Sequence, residues 1–236
     1  MSDPVIHTVE DYLETFHEDD GLMPLCALNS YANCGPTVEF VQAALIAMND
    51  PNWVVRARGA EYLGIAKGGA KSDSLPADLW TQGAASVRDR LQDSDKTVRL
   101  AAALALGQIS PTLTDAEAAF PILHSVIQDS EATRVQMEEV ARAASEFASV
   151  LPQEVMRIAP KLLKHADSEV VHFTLEAVVK CGPLAAPVLG RVHSLARSRD
   201  PDIRDSARDA LEKLGQKPRR SLWQAISQLF RRSDTP

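Results

Sequence analysis

The residues of this 236-residue chain that could hold a metal or carry a proton are six histidines, three cysteines and 32 carboxylates. Metal sites draw such residues from short, recurring spacings. Cys26, Cys34 and Cys181 show none, and His7, His17, Glu18 and Asp19 near the N-terminus match no ligand pattern. No histidine or base stands near Cys26 or Cys34 to activate a thiol. Lys67-Gly68-Gly69-Ala70-Lys71-Ser72 lacks the Gly-Lys-Ser/Thr of a phosphate cradle. No Ser/His/Asp or paired-carboxylate arrangement can be placed from spacing alone. The expectation is a chain with no catalytic residue, no metal and no cofactor.

Charge at helical spacing offers a different chemistry. Glu138/Arg142, Glu176/Lys180 and Arg208/Glu212 are i, i+4 pairs, and they recur at one offset in three successive stretches. Such pairs either stabilise a solvated helix face, by about 0.2–0.5 kcal/mol each, or line a ridge that meets a protein. Arg58 and Glu61 extend the set of candidate protein-binding residues into the first stretch.

The elements that must position these residues form a repeat. Val98-Arg99 is matched by Val55-Arg56, Thr133-Arg134, Val171-His172 and Ile203-Arg204, at steps of 43, 35, 38 and 32 residues. Paired-helix solenoids have periods in this range. Three residues before each pair stands a helix-capping type, Asn52, Asp95, Ser130, Ser168 and Asp200, with Pro201 at the favoured first helical position. Apolar residues then recur at i, i+4, i+7, i+8 and i+11, as in Val98, Ala102, Ala105, Leu106 and Ile109. That spacing is one face of a helix. A second amphipathic run precedes each of these, for example Trp80, Ala84, Val87 and Leu91, or Leu184, Val188, Val192 and Leu195. Each unit is expected to be helix, Asp-rich turn, helix.

Asp50-Pro51-Asn52 through Val55-Arg56, Asp93-Ser94-Asp95 through Val98-Arg99, and Asp200-Pro201-Asp202-Ile203-Arg204 resemble the HEAT-repeat family. The likeness is closest to its short bacterial form, the HEAT-like repeats of phycobilisome lyases. The resemblance implies an all-α, right-handed α-solenoid of about five helix pairs whose second helices line the concave surface. It also implies a structural ladder of Asp50, Arg56, Asp93, Arg99 and Arg204 between adjacent units, with His172 and Thr133 departing from the pattern. The hydroxylases of this architecture carry repeated His-Glu pairs, and here His17-Glu18 stands alone, outside the array. The resembling bilin lyases make tetrapyrrole handling, through Cys181 or the concave carboxylates, the alternative to a binding scaffold.

Domain boundaries follow. Residues 1–35 are expected to be an acidic N-terminal cap, since residues 1–20 hold seven acids and no lysine or arginine, with Thr8 and Asp11 opening a helix. Residues 36–217 form the array, interrupted by the loop of residues 67–78. Residues 218–236 read as a basic amphipathic helix, with Leu222, Trp223, Ile226, Leu229 and Phe230 on one face. Membrane contact is expected only through 219–232. No apolar run is expected to reach membrane-spanning length. The net charge of −7 disfavours nucleic acid as a partner. The sparse cysteines point to a reducing, cytoplasmic setting. The function expected is non-catalytic protein binding as a scaffold: an adaptor, an assembly factor or a toxin-neutralising binder.

Overall fold

The computed structural model describes residues 8–17, 36–69, 72–109 and 111–216, and every regular element among them is helical. A leading helix α1 (Val9–His17) precedes five helix pairs: α2 (Val38–Ala47) with α3 (Trp53–Gly68), α4 (Ala77–Arg90) with α5 (Lys96–Ile109), α6 (Leu113–Gln128) with α7 (Arg134–Phe147), α8 (Pro152–Leu162) with α9 (Ser168–Cys181), and α10 (Leu189–Leu195) with α11 (Pro201–Lys213). The fold is the expected α-solenoid. The basic tail from residue 217 onward lies outside the described residues, as do Cys26 and Cys34.

Turn chemistry starts the second helices. Asn52, Asp95 and Asp200 cap α3, α5 and α11, each accepting a backbone N–H of the first turn. The expected caps of units three and four are displaced by one device each. Thr133 forms a capping box with Gln136, and Asp167 caps α9 in place of Ser168. One further rule recurs two residues before the cap, where Asp50, Asp93, His165 and Ser198 each accept the cap residue's own N–H. The first helix of unit five is shorter than the expected run. Gly182–Val188 is a 3₁₀ segment containing Pro183 and Pro187, and Leu184 is left exposed.

The second helices pack one upon the next along their lengths, while the first helices scarcely touch one another. The tighter row is the inside of the bend, so α3, α5, α7, α9 and α11 form the concave face. Two glycines set how tight the row is at its start. Gly64 and Gly107 occupy the same position of units one and two, and each faces the following second helix. A Cβ at Gly64 would overlap Gln108 Oε1 and come within 2.9 Å of Ala105 Cα; one at Gly107 would meet Glu146 Cβ at 2.7 Å. Units three to five carry Arg142, Lys180 and Glu212 there. Gly64→Ala is expected to destabilise by about 1–3 kcal/mol, because the obstruction includes backbone that cannot yield. Thermal denaturation checks this, and an unchanged midpoint would refute the close contact.

At the N-terminal end α1 docks on α2 and α3. Its start is a reciprocal pair in which Thr8 N–H donates to Asp11 and Asp11 N–H to Thr8. Tyr12 and Phe16 are buried against Phe40 and Tyr62, with ring centroids 5.4 and 5.3 Å apart for Tyr12–Phe40 and Phe16–Tyr62. By length and mean hydropathy Ser168–Leu195 would pass for a membrane-crossing helix, contrary to the sequence expectation. Its fold explains the composition. Gly182, at φ +56°, breaks the run, and the apolar residues of α9 face protein on both sides.

Candidate functional site

Polar side chains of the array fall into two groups: those that tie one unit to the next, and those left on the concave face. In the first group, a basic residue at the end of α1 or in the first turn of a second helix reaches the turn of the unit that follows. His17 Nε2 lies 3.2 Å from Asp50, Arg56 Nε 2.8 Å from Asp93, Lys96 Nζ 3.2 Å from Asp129 and Arg134 Nε 2.7 Å from Asp167. In unit four His172 Nδ1 meets the Ser206 hydroxyl at 3.1 Å instead. Of the residues expected in the ladder, Arg56 and Asp93 join two units and Asp50 meets the leading helix, whereas Arg99 and Arg204 do not reach across. Arg99 donates to Asp93 O and Ser94 O, and Arg204 to Ser198 O, so both brace their own turns. For Arg99 the physical reason lies in Lys96, which already occupies the acceptor of the next turn, and Arg204 belongs to the last described unit. Arg56 does both jobs, donating to Asp50 O and Pro51 O as well as to both oxygens of Asp93. The hydrogen bond from Arg56 holds the Asp93 carboxyl below its ordinary range, against the cost of burial.

A second tie joins first helices and escaped the sequence reading. Arg88 on α4 grips the buried Asp115 of α6 at 2.5 and 3.0 Å, and the Thr112 hydroxyl donates to the same carboxylate. Burial would raise the Asp115 carboxyl, yet these bonds hold it below the usual range. Thr112 three residues before Asp115 was its visible signal.

The concave residues are arranged differently from the expected i, i+4 ridge. Among the described residues none of the three pairs closes. Glu138 lies 3.7 Å from Arg134, and the Arg142 guanidinium sits 5.3 Å above the Phe173 ring. Glu176 lies 3.4 Å from His172 Nε2, and Lys180 donates to the backbone and hydroxyl oxygens of Ser145 at 3.0 Å. Arg208 pairs with Asp205 at 3.6 Å, and Glu212 is exposed. Apart from Glu212, each of these side chains finds a partner on a neighbouring unit or one turn back. Between α9 and α11 this leaves a cleft of about 300 Å³ lined by His172, Glu176, Lys180, Ser206, Asp209 and Lys213.

Over units one to three the inner row forms a trough. Its floor is α5, where Leu100 to Gly107 are all buried and no charge follows Arg99. Walls come from α3 and α7. Arg58 donates to the Phe16 carbonyl of α1 at 3.0 Å. Glu61 and Glu139 stand half-buried on opposite walls, close enough for the Glu61 charge to act on Glu139. Burial pushes both up, Glu139 to about 7, and the Arg142 and Arg58 charges only partly offset this at Glu61. Neither carboxylate has a hydrogen bond or an ion pair within 4 Å among the described residues. Glu139 was missed by the sequence reading, which chose its neighbour Glu138. The signal was available, because Glu139 follows Thr133 by the same six positions that separate Glu61 from Val55.

Cys181, the residue considered for a chromophore, is buried with its Sγ toward Ala148 O and Pro152 O, and burial pushes the thiol up to about 11. That environment suppresses nucleophilicity. No group of three or more His, Cys, Asp or Glu among the described residues is placed to hold a metal ion.

Residues 41–143 match the family model described as HEAT repeats. No curated protein matches the sequence. Two engineered proteins of known structure align with TM-scores of 0.55 and 0.54, at 19% and 20% identity, over 89% and 88% of this chain and 97% and 58% of theirs. A designed armadillo repeat protein in complex with the peptide (KR)4 aligns with a TM-score of 0.55 at 15% identity, over 88% of this chain and 100% of its own. These likenesses are of fold.

Proposed function

We propose that this array, with HEAT repeats over residues 41–143, binds a polypeptide partner along its second-helix face and catalyses no reaction on it. The observation that carries the reading is an unbroken inner row of helices, α3 to α11, with charged side chains on α3, α7, α9 and α11 and with α1 reaching its N-terminal end through Phe16 and Arg58. A stacked row fixes such a surface before binding, so little ordering entropy is lost on association. That a repeat protein of similar fold is seen with a bound peptide supports the mode. Adaptor, assembly-factor and toxin-neutralising roles all use this mode, and the sparse cysteines favour a cytoplasmic setting.

Affinity capture from native cells, with wild type beside the triple variant Glu138→Lys, Arg142→Glu, Glu176→Lys, tests it. One stoichiometric protein, retained by wild type and lost by the folded variant and at high salt, is the expected result. A coloured eluate without a protein partner would instead favour the tetrapyrrole-handling alternative.

A further inference from the structure

The trough over α5 is short of hydrogen-bond donors. Glu61 and Glu139 present acceptors from the two walls, with no ion pair or hydrogen bond to another described residue. On the floor, Ala101, Leu104 and Gln108 form the inward stripe of α5, and Gln108 is the one that keeps appreciable exposure. Its Oε1 is turned in against Gly64 and has no hydrogen-bond partner among the described residues. Unmet acceptors in a half-buried place are costly, and their cost disappears when a donor arrives.

The nearby cations among the described residues do not meet this need. Arg58 is committed to the Phe16 carbonyl, Arg142 lies over the Phe173 ring, and Arg134 stands by Glu138 and Asp167. The surrounding unit adds to the field. Residues 111–147 carry seven acids, Asp115, Glu117, Asp129, Glu131, Glu138, Glu139 and Glu146, against two arginines. The floor itself is neutral and apolar, which suits the methylene stem of a long side chain.

Resting on the polypeptide-binding reading above, we propose that the trough between α3 and α7 receives a lysine or arginine side chain of the partner. The stem lies on Ala101 and Leu104, and the charged head sits between Glu61 and Glu139. A donor beside it turns the Gln108 amide outward. The partner segment is therefore basic and extended as it crosses α5.

Labelled hexalysine at physiological salt, followed by fluorescence anisotropy, is the probe. The double variant Glu61→Gln, Glu139→Gln should weaken binding about tenfold or more, the scale set by losing contacts to a desolvated charge. Glu117→Gln with Glu131→Gln removes the same charge from elsewhere on unit three and should change binding by less than about twofold. Wild-type binding should also strengthen as pH rises through about 7, where Glu139 ionises. Equal losses in the two double variants would overturn the site, as would wild-type protein that ignores hexalysine. Spermidine bound as tightly as hexalysine would overturn the commitment to a peptide. If hexalysine fails while capture of the protein partner still depends on Glu138, Arg142 and Glu176, only the cation assignment falls. If both fail, the polypeptide reading falls with it.

Discussion

Asp93→Ala should cost about 3–5 kcal/mol, the scale for breaking a buried ion pair from one side. The Asp93 side chain is 4% exposed and that of Arg56 13% exposed, so the guanidinium left behind cannot recover its hydration. The same substitution removes the acceptor for Asp95 N–H in the turn before α5. Denaturant titration of wild type and variant measures the loss. A change near the value of a surface pair, under about 1 kcal/mol, would show that the tie between units one and two is not where the stability lies. Replacing both partners by apolar residues should be far milder than removing Asp93 alone. The pH dependence has a definite sign. Because the folded-state Asp93 carboxyl titrates below its ordinary range, its contribution is complete above the unfolded value and is lost as pH falls through the folded one.

Glu139→Gln should act in the opposite direction. Folding moves this carboxyl from an ordinary 4.5 to about 7, because burial and the facing Glu61 charge oppose ionisation. The folded chain then binds more protons than the unfolded one between these values, so wild-type stability falls as pH rises through that window. Above it the penalty is complete, on the order of 3 kcal/mol. The variant should therefore be more stable than wild type at about pH 8 and should match it at about pH 4. Melting curves of the two proteins across this range decide the matter, and curves that stay parallel would refute the burial of an unpaired charge. A protein that keeps such a residue forgoes stability at a surface used for something else.

The repeat was legible because it rests on local chemistry. Caps such as Asn52, Asp95 and Asp200 and the apolar period of each second helix are properties of adjacent residues, and the structure reproduces them. Side-chain partners were less legible. Arg99 carries the same label as Arg56 in the repeat, yet it bonds only its own turn, because Lys96 reaches Asp129 first. Nothing within one unit announces that competition. Glu138 and Arg142 look paired on a helical wheel, but Arg142 turns to Phe173 on the next helix, a contact set by how closely two units approach. Gln108 gave no signal at all. Its meaning comes from Gly64 opposite, and only the packed pair of helices brings the two together. Leu184 was assigned to an amphipathic run, and Pro183 and Pro187 were the warning that the run would not be a regular helix.

The glycines at the start of the inner row bear on the mechanics of the whole array. Where Gly64 and Gly107 stand, neighbouring helices touch backbone to side-chain root, and such contacts resist sliding. Further along, the equivalent places hold Arg142 and Lys180, whose long chains meet their neighbours through flexible tips, and Glu212, which is exposed. The apolar interior also divides at α9, with Val170, Ala177 and Cys181 packed toward the larger front cluster and Val171, Leu175 and Val178 toward the rear one. Because α9 belongs to both apolar clusters, a displacement of either half of the stack reaches the other through that one helix.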